Sequence, residues 1–200
     1  IRDPEMSRGL GDVYKRQDRV ERPLRMQTAI RIETEVDPQL TVACALRVDY
    51  DAPRRYKQLR DLLGADRLTD IDRFLLDDAT YSNRLQNDLR HPDRTVGEGD
   101  RFGYDYRTVR CEVAADGVVR YRSDRWTAAF GASVGRCVVR RRGFYEKELF
   151  PGAGSYGGSS RLRFTPYALR ASAGYAFSSR SYLEISASAS AAVPDVEDLF

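Results

Sequence analysis

The stretch LRMQTAIRIETEVDPQLTVACALRVDY, residues 24–50, repeats with a period of two. Leu24, Met26, Thr28, Ile30, Ile32, Thr34 and Val36 alternate with Arg25, Gln27, Ala29, Arg31, Glu33 and Glu35. After Asp37-Pro38-Gln39 the alternation restarts with Leu40, Val42, Cys44, Leu46, Val48 and Tyr50. A β-strand sends successive side chains to opposite faces. Each half therefore reads as a strand with one apolar face and one charged or small face, and the sheet it joins must meet different surroundings on its two sides.

Four further segments alternate in the same way, giving strands expected at about 24–36, 40–50, 104–122, 126–142, 163–177 and 182–192. In the third, Val109, Cys111, Val113 and Val119 oppose Arg110, Glu112 and Arg120. In the fourth, Trp126, Phe130 and Val134 oppose Thr127, Gly131 and Ser133. In the fifth, Tyr167, Leu169 and Tyr175 oppose Arg170 and Ser172, and in the sixth, Leu183 and Ile185 oppose Glu184, Ser186 and Ser188. Strands one and two, three and four, and five and six are joined by the turn sequences DPQ, SDR and SSRS. Long connections, 51–103 and about 143–162, separate the pairs. In an antiparallel up-and-down meander this order puts every short turn at one end and every long loop at the other, the layout of a transmembrane β-barrel. The apolar face would meet lipid and the charged face a watery lumen, and each segment reaches the roughly nine to eleven residues that a tilted strand needs to span. Tyr121, Trp126 and Phe177, beside the short turns, suit an interfacial aromatic girdle. A soluble sandwich also alternates, and would cover the same stripes with a second layer of protein.

Composition narrows the classes. The chain has 200 residues, 33 of them basic and 30 acidic, interleaved rather than clustered. No nucleic-acid motif or basic patch stands out, so nucleic acid is not an expected partner. Mean hydropathy is −0.56 and no run approaches a membrane-spanning helix. Residues 12–17, DVYKRQ, are what the DNA string GATGTGTATAAGAGACAG encodes, which resembles a transposon end used in sequencing libraries. Residues 1–17 are accordingly read as a library scar and 18–200 as native sequence.

Catalytic and metal chemistry find little support. The three cysteines, Cys44, Cys111 and Cys137, lack CxxC spacing. His91 is the only histidine and precedes a proline. Asp70, Asp72, Asp77 and Asp78 lack the glycine and terminal Glu of a calcium loop. Glu146 with Glu148, or Asp70 with Asp72, supply carboxylate pairs without a nucleophile–histidine pattern, and GAGSYGG has no helix after it to cradle phosphate. The expectation is no enzyme, no metal and no cofactor. Leu59, Leu62 and Leu63 before Gly64 predict a short helix in the long loop, and a second is expected after Thr69 or Asp70.

HPDRTVGEGDRFGYDY (91–106), YEKELFPGAGSYG (145–157) and the closing SASAAVPDVEDLF resemble the barrel of TonB-dependent outer-membrane receptors, particularly those of Bacteroidetes-like bacteria. Val193 stands where that family usually has Ala before the proline. The resemblance covers about residues 20–200 and implies an all-β interior fragment of a plugged barrel of about 22 strands. It implies location in the outer membrane of a Gram-negative bacterium and import of a scarce ligand. The implied partners are outer-membrane lipid, a plug domain of the same full-length chain, and the TonB complex. On this reading Arg31, Glu33, Arg47, Asp49, Arg110, Glu112, Arg120 and Arg170 face the lumen. Tyr81, Phe102, Tyr104, Tyr145, Phe150 and Tyr156, on the long loops, are candidates for ligand capture. A passive channel, an adhesin and a soluble β-rich binding module remain alternatives.

Overall fold

Two interrupted hairpin arms set the architecture. The computed structural model describes residues 15–72, 75 and 85–199. Strands β1 (Arg16–Arg22) and β2 (Arg25–Asp37) are separated by Pro23-Leu24, and β3 (Leu40–Asp51) and β4 (Arg54–Asp61) by Ala52-Pro53. Proline has no N–H to give a ladder, so each arm breaks where one falls. Then come β5 (Leu68–Thr69), β6 (Thr95–Val96), β7 (Arg101–Arg122), β8 (Trp126–Gly143), β9 (Gly157–Gly158), β10 (Leu162–Phe164), β11 (Tyr167–Ser178) and β12 (Ser181–Ala191). Among the described residues there is no α-helix, only short 3₁₀ turns such as Gly152–Gly154 and Val196–Asp198. The chain is all-β and its strand pairs are antiparallel.

The contacts divide the molecule into two units, with β7 and β8 contributing residues to both. One unit comprises Arg25–Asp51, Arg110–Val139 and Arg161–Phe200. Its strands run in the order β2, β3, β7, β8, β11, β12. Three tight turns serve it. Gln39 N donates to Asp37 Oδ1 at 2.7 Å, Trp126 N to Ser123 Oγ at 3.3 Å, and Arg180 N to Ser178 Oγ at 3.2 Å. Short polar side chains thus satisfy the turn donors that the ladder leaves over. The register keeps like with like: Ile30 opposes Leu46, which opposes Ala115, while Gln27 opposes Asp49, which opposes Glu112.

The other unit, which contains Ala52–Val109 and Arg140–Ser160, is built around a small apolar cluster. Leu59, Leu62, Leu68, Val96 and Phe102 are buried together, with Ala65 against them. β4 pairs with β1 on one side and β7 on the other. This corrects the expected first loop helix: residues 56–61 are strand. Tyr56 and Leu59 are both buried, so β4 is covered on both faces and its sequence has no reason to alternate. The second expected helix is also unsupported. Thr69 lies in β5 and Ile71 forms a bridge with Gln86, while the rest of that segment lies largely outside the described residues. The reading of residues 1–17 as a scar meets only its last residues here: Arg16 and Gln17 begin β1.

Gly143, at the end of β8, approaches the loop backbone closely. A Cβ there would stand 1.6 Å from the carbonyl oxygen of Ser155, whereas one at Gly131 would meet nothing nearer than 3.7 Å. Gly143→Ala should therefore displace the 144–158 loop and cost about 1–3 kcal/mol, the scale of overpacking. Gly131→Ala should be nearly neutral. Equilibrium unfolding of the two variants, followed by circular dichroism, distinguishes them.

Candidate functional site

In the unit containing β2 and β12, exposure runs opposite to that of a water-soluble sheet. Ile30 is 65% exposed, Phe130 52% and Ile185 66%, and Met26, Ile32, Leu46, Val134 and Leu183 are also exposed. The most protected residues of this unit, Ala43, Glu112, Ala114, Cys137 and Val139, all sit on the opposite, charged or small-residue face. That face is the concave one. It encloses an open hollow of about 530 Å³ lined by Gly131, Arg170, Ser172, Ser186 and Ser188 among others.

The charges on this face are paired along and across strands. Arg31 Nη2 lies 2.6 Å from Glu33, Arg47 Nε 3.0 Å from Asp49, and Arg110 Nη2 2.7 Å from Glu112. Each pair is two residues apart, the spacing that puts both side chains on one face. Arg120 also reaches Glu33, at 3.3 Å. The two belong to β7 and β2, which flank β3, and the small Ala43 between them leaves room for the contact. Arg31, Glu33, Arg47, Asp49, Arg110, Glu112, Arg120 and Arg170 thus share one concave face.

The second unit presents loops with a dense polar network. Asp105 accepts two hydrogen bonds from Arg54, at 2.8 and 2.7 Å, and a third from Arg101 at 3.0 Å. Arg54 stacks over Phe144 and Arg101 over Tyr56, each 4.2 Å from the ring centre. The hydrogen bond to Asp105 holds the Arg54 guanidinium above its ordinary pKa, against the effect of burial. Arg94 donates to the Tyr145 hydroxyl at 2.7 Å and to the Arg101 carbonyl at 2.9 Å. Deeper in, Asp70 accepts from Asn87 Nδ2 and Gly103 N, and Lys147 Nζ donates to Asn87 Oδ1 and to the Gly103 carbonyl. Burial pushes the Lys147 ammonium below its usual pKa, against the pull of Asp72 and Asp70.

An open cleft of about 880 Å³ lies beside this network, lined by Arg90, His91, Arg94, Arg101, Phe144 and Tyr145 among others. Of the six loop aromatics expected from sequence, Tyr145 lines the cleft. Tyr156 lies near it, beneath the Arg90 guanidinium at 4.4 Å. Phe102 is in the apolar cluster, Tyr104 lies tilted against Tyr106 with ring centres 5.8 Å apart, and Phe150 is exposed to solvent. Tyr81 lies outside the described residues. Lys147, Asn87, Arg54 and Asp105 were not singled out in the sequence, since no spacing marks them and their partners are distant in the chain. His91 bonds to Asp88, and the pair Asp70 and Asp72 faces Lys147. Among the described residues no three His, Cys, Asp or Glu side chains are grouped to hold a metal.

Compared with protein-family models, curated proteins and solved structures, the chain matches none.

Asp88 ties the two loops at this cleft. Burial alone would raise its pKa, but the bonds from His91, at 2.7 Å, and from the backbone N–H groups of Glu146 and Arg90 outweigh it and hold the carboxyl below its ordinary value. Asp88 therefore binds its proton more weakly in the folded chain. It contributes stability in full above its unfolded pKa, and that contribution disappears as pH falls through the lower folded value. Asp88→Asn should flatten the acid limb of loop stability below about pH 4. Limited proteolysis of residues 85–158 as a function of pH reads this out. Asp105→Asn, by contrast, leaves two guanidinium groups facing a neutral amide and should cost about 3 kcal/mol at neutral pH, seen as a lower unfolding midpoint.

Proposed function

We propose that this chain is part of the β-barrel of a TonB-dependent outer-membrane receptor, a transport protein that binds a scarce ligand outside the cell and carries it to the periplasm. The observation that carries the reading is the reversed polarity of the β2–β12 sheet: its exposed face is apolar and its protected, concave face is charged. Water would make such a face costly. Each fully buried aliphatic or aromatic side chain contributes about 1.5–3 kcal/mol, and here more than a dozen forgo it. Monomeric soluble proteins rarely leave apolar patches beyond a few hundred Å² uncovered, whereas lipid covers such a face without any further protein.

The dimensions agree with this reading. On β8 the outward residues Trp126 to Val134 are all apolar, and the next outward residue is Arg136. Eight residue steps at about 3.4 Å make roughly 27 Å along the strand. At a tilt near 40° that is about 21 Å of height, close to the roughly 25 Å apolar band of outer-membrane barrels. Trp126, Tyr175 and Phe177 are packed at the short-turn end, with ring centres 4.7 and 5.1 Å apart, where an interfacial girdle belongs. Among the described residues, both edges of this sheet, β2 and β12, pair on one side only. Further strands on those edges would complete the ladder, as any spanning sheet requires. Short turns and long loops alternate along the chain, as they do in a barrel whose long loops face outward, and the paired charges of the concave face suit contact with water and a plug domain. Among barrels, the resemblance of residues 91–106 and 145–157 is what supports the TonB-dependent class.

Reading the source DNA through this locus in both directions tests the proposal. A plug-coding segment upstream and strands continuing past both edges are expected. A reading frame confined to these strands, with no plug, removes the transporter reading. The lipid-facing assignment has its own check in the complete protein. Ile30→Arg should cost about 2–4 kcal/mol near the membrane midplane and lower assembly into outer membranes. Gln27→Arg, on the concave face opposite Asp49, should assemble like the parent, as measured by heat-modifiable gel mobility of membrane fractions.

A further inference from the structure

Three side chains of the loop network combine a nucleophile, an electrophile and a carboxylate that holds the leaving nitrogen. Lys147 Nζ stands 2.5 Å from Oδ1 of Asn87, which puts the carboxamide carbon about one C=O length, roughly 1.2 Å, beyond that oxygen. The nitrogen of the same carboxamide donates to Asp70 Oδ1 at 2.7 Å and to the Ile71 carbonyl at 2.7 Å. Asp70 is 2% exposed. Its Oδ2 is buried with no hydrogen-bond partner among the described residues, and Arg94 Nη1 lies 3.8 Å away. Buried carboxylate oxygens are nearly always satisfied, so one without a partner among the described residues stands out.

We propose that Lys147 and Asn87 join in an intramolecular isopeptide bond, with Asp70 holding the carboxamide nitrogen that leaves. The unprotonated Lys147 amine attacks Cγ of Asn87, and the Nζ–Cγ bond forms. One proton passes from Nζ to Nδ2 within the tetrahedral adduct, whose Nδ2 Asp70 Oδ1 holds by its hydrogen bond. The Cγ–Nδ2 bond then breaks and ammonia leaves. An amine and a primary amide become a secondary amide and ammonia, with no oxidant, reductant or added group. Orientation replaces intrinsic reactivity, since amines in water scarcely attack amides, while well-held intramolecular pairs gain effective molarities on the order of 10⁵ M or more. Gly103 N and Asn87 both hold Asp70 in place. Burial favours the neutral amine that the first step needs, although Asp72, 3.7 Å from Nζ, opposes it.

The bond would close a covalent loop between residues 60 apart in sequence, one in the connection from β4 to β7 and the other just beyond β8. Like a disulfide, such a link limits the freedom of the unfolded chain, and it does so without dependence on redox conditions. It suits exposed loops held by a small apolar cluster.

Intact-mass measurement of the full chain, folded in detergent with its β-sheet signal confirmed, tests the proposal together with a peptide map. The expected mass is lower than that of the sequence by one ammonia, with a branched peptide joining Lys147 to Asn87. Lys147→Arg and Asp70→Asn should restore the full mass, and Asn87→Asp should lose one water in place of ammonia. A folded parent chain of full mass, with Lys147 and Asn87 in separate linear peptides, overturns the proposal. So does an ammonia loss that persists in Lys147→Arg, which would mark cyclisation of an asparagine elsewhere.

Discussion

The backbone ladder between β2 and β12 fixes everything that the adjoining side chains can do. With the strands antiparallel and the period two unbroken, every odd or even choice along one strand is inherited by its neighbours. Ile30, Leu46 and Ala115 stand in one row because the register puts them there, and Gln27, Asp49 and Glu112 in another. A slip of one residue between β2 and β3 would send Arg31 and Glu33 to the apolar face and Ile30 and Ile32 to the charged one. The cost of that exchange in any environment with one apolar and one watery side is large, so the surroundings of the sheet and its register enforce each other.

The two units solve the problem of polar groups differently. On the concave face of the β2–β12 sheet, charges are partly exposed, and Arg31, Arg47 and Arg110 each pair with a carboxylate two residues on, an arrangement that contributes little to stability. In the loop unit the same residue types are enclosed. Asp105 is nearly fully buried and held by two arginines, each stacked on an aromatic ring. Buried ion pairs gain little over apolar packing, yet removing one partner is severe. Such networks fix a unique loop arrangement where the apolar cluster of Leu59, Leu62, Leu68, Val96 and Phe102 is too small to do so alone.

The strands of the first unit were legible because each has unlike faces, and alternation is what unlike faces leave in a sequence. The turns were legible for the chemistry of Asp37, Ser123 and Ser178, which satisfy local donors. β1 and β4 were not. β4 is buried on both faces at Tyr56 and Leu59, so it carries no alternation, and its leucines at 59, 62 and 63 imitate a helical spacing. Beyond β4, Leu62 is buried in the apolar cluster and Leu63 takes a positive φ of 51° near Gly64. The loop network was invisible for another reason. Asp70, Asn87 and Lys147 come from three separate loop segments, and nothing local announces that the fold will bring them within hydrogen-bond distance. Phe102 and Tyr145 illustrate the limit on single residues: equally plausible as exposed aromatics in sequence, one fills the apolar cluster and the other lines the cleft.

A recognition surface on loops faces a conflict between reach and order. Loops long enough to enclose a ligand lose entropy on every binding event unless they are ordered beforehand. Here the ordering groups line the cleft themselves. The Arg94–Tyr145–Arg101 contacts and the Asp88 contacts to His91 and Glu146 tie the 85–101 segment to the segment after β8, while Arg90 and His91 keep much of their side chains in solvent. Tyr145, Arg94 and Arg101 are thus held in place by one another. That division, between groups fixed by one another and groups left open to solvent, orders irregular backbone that has no ladder of its own.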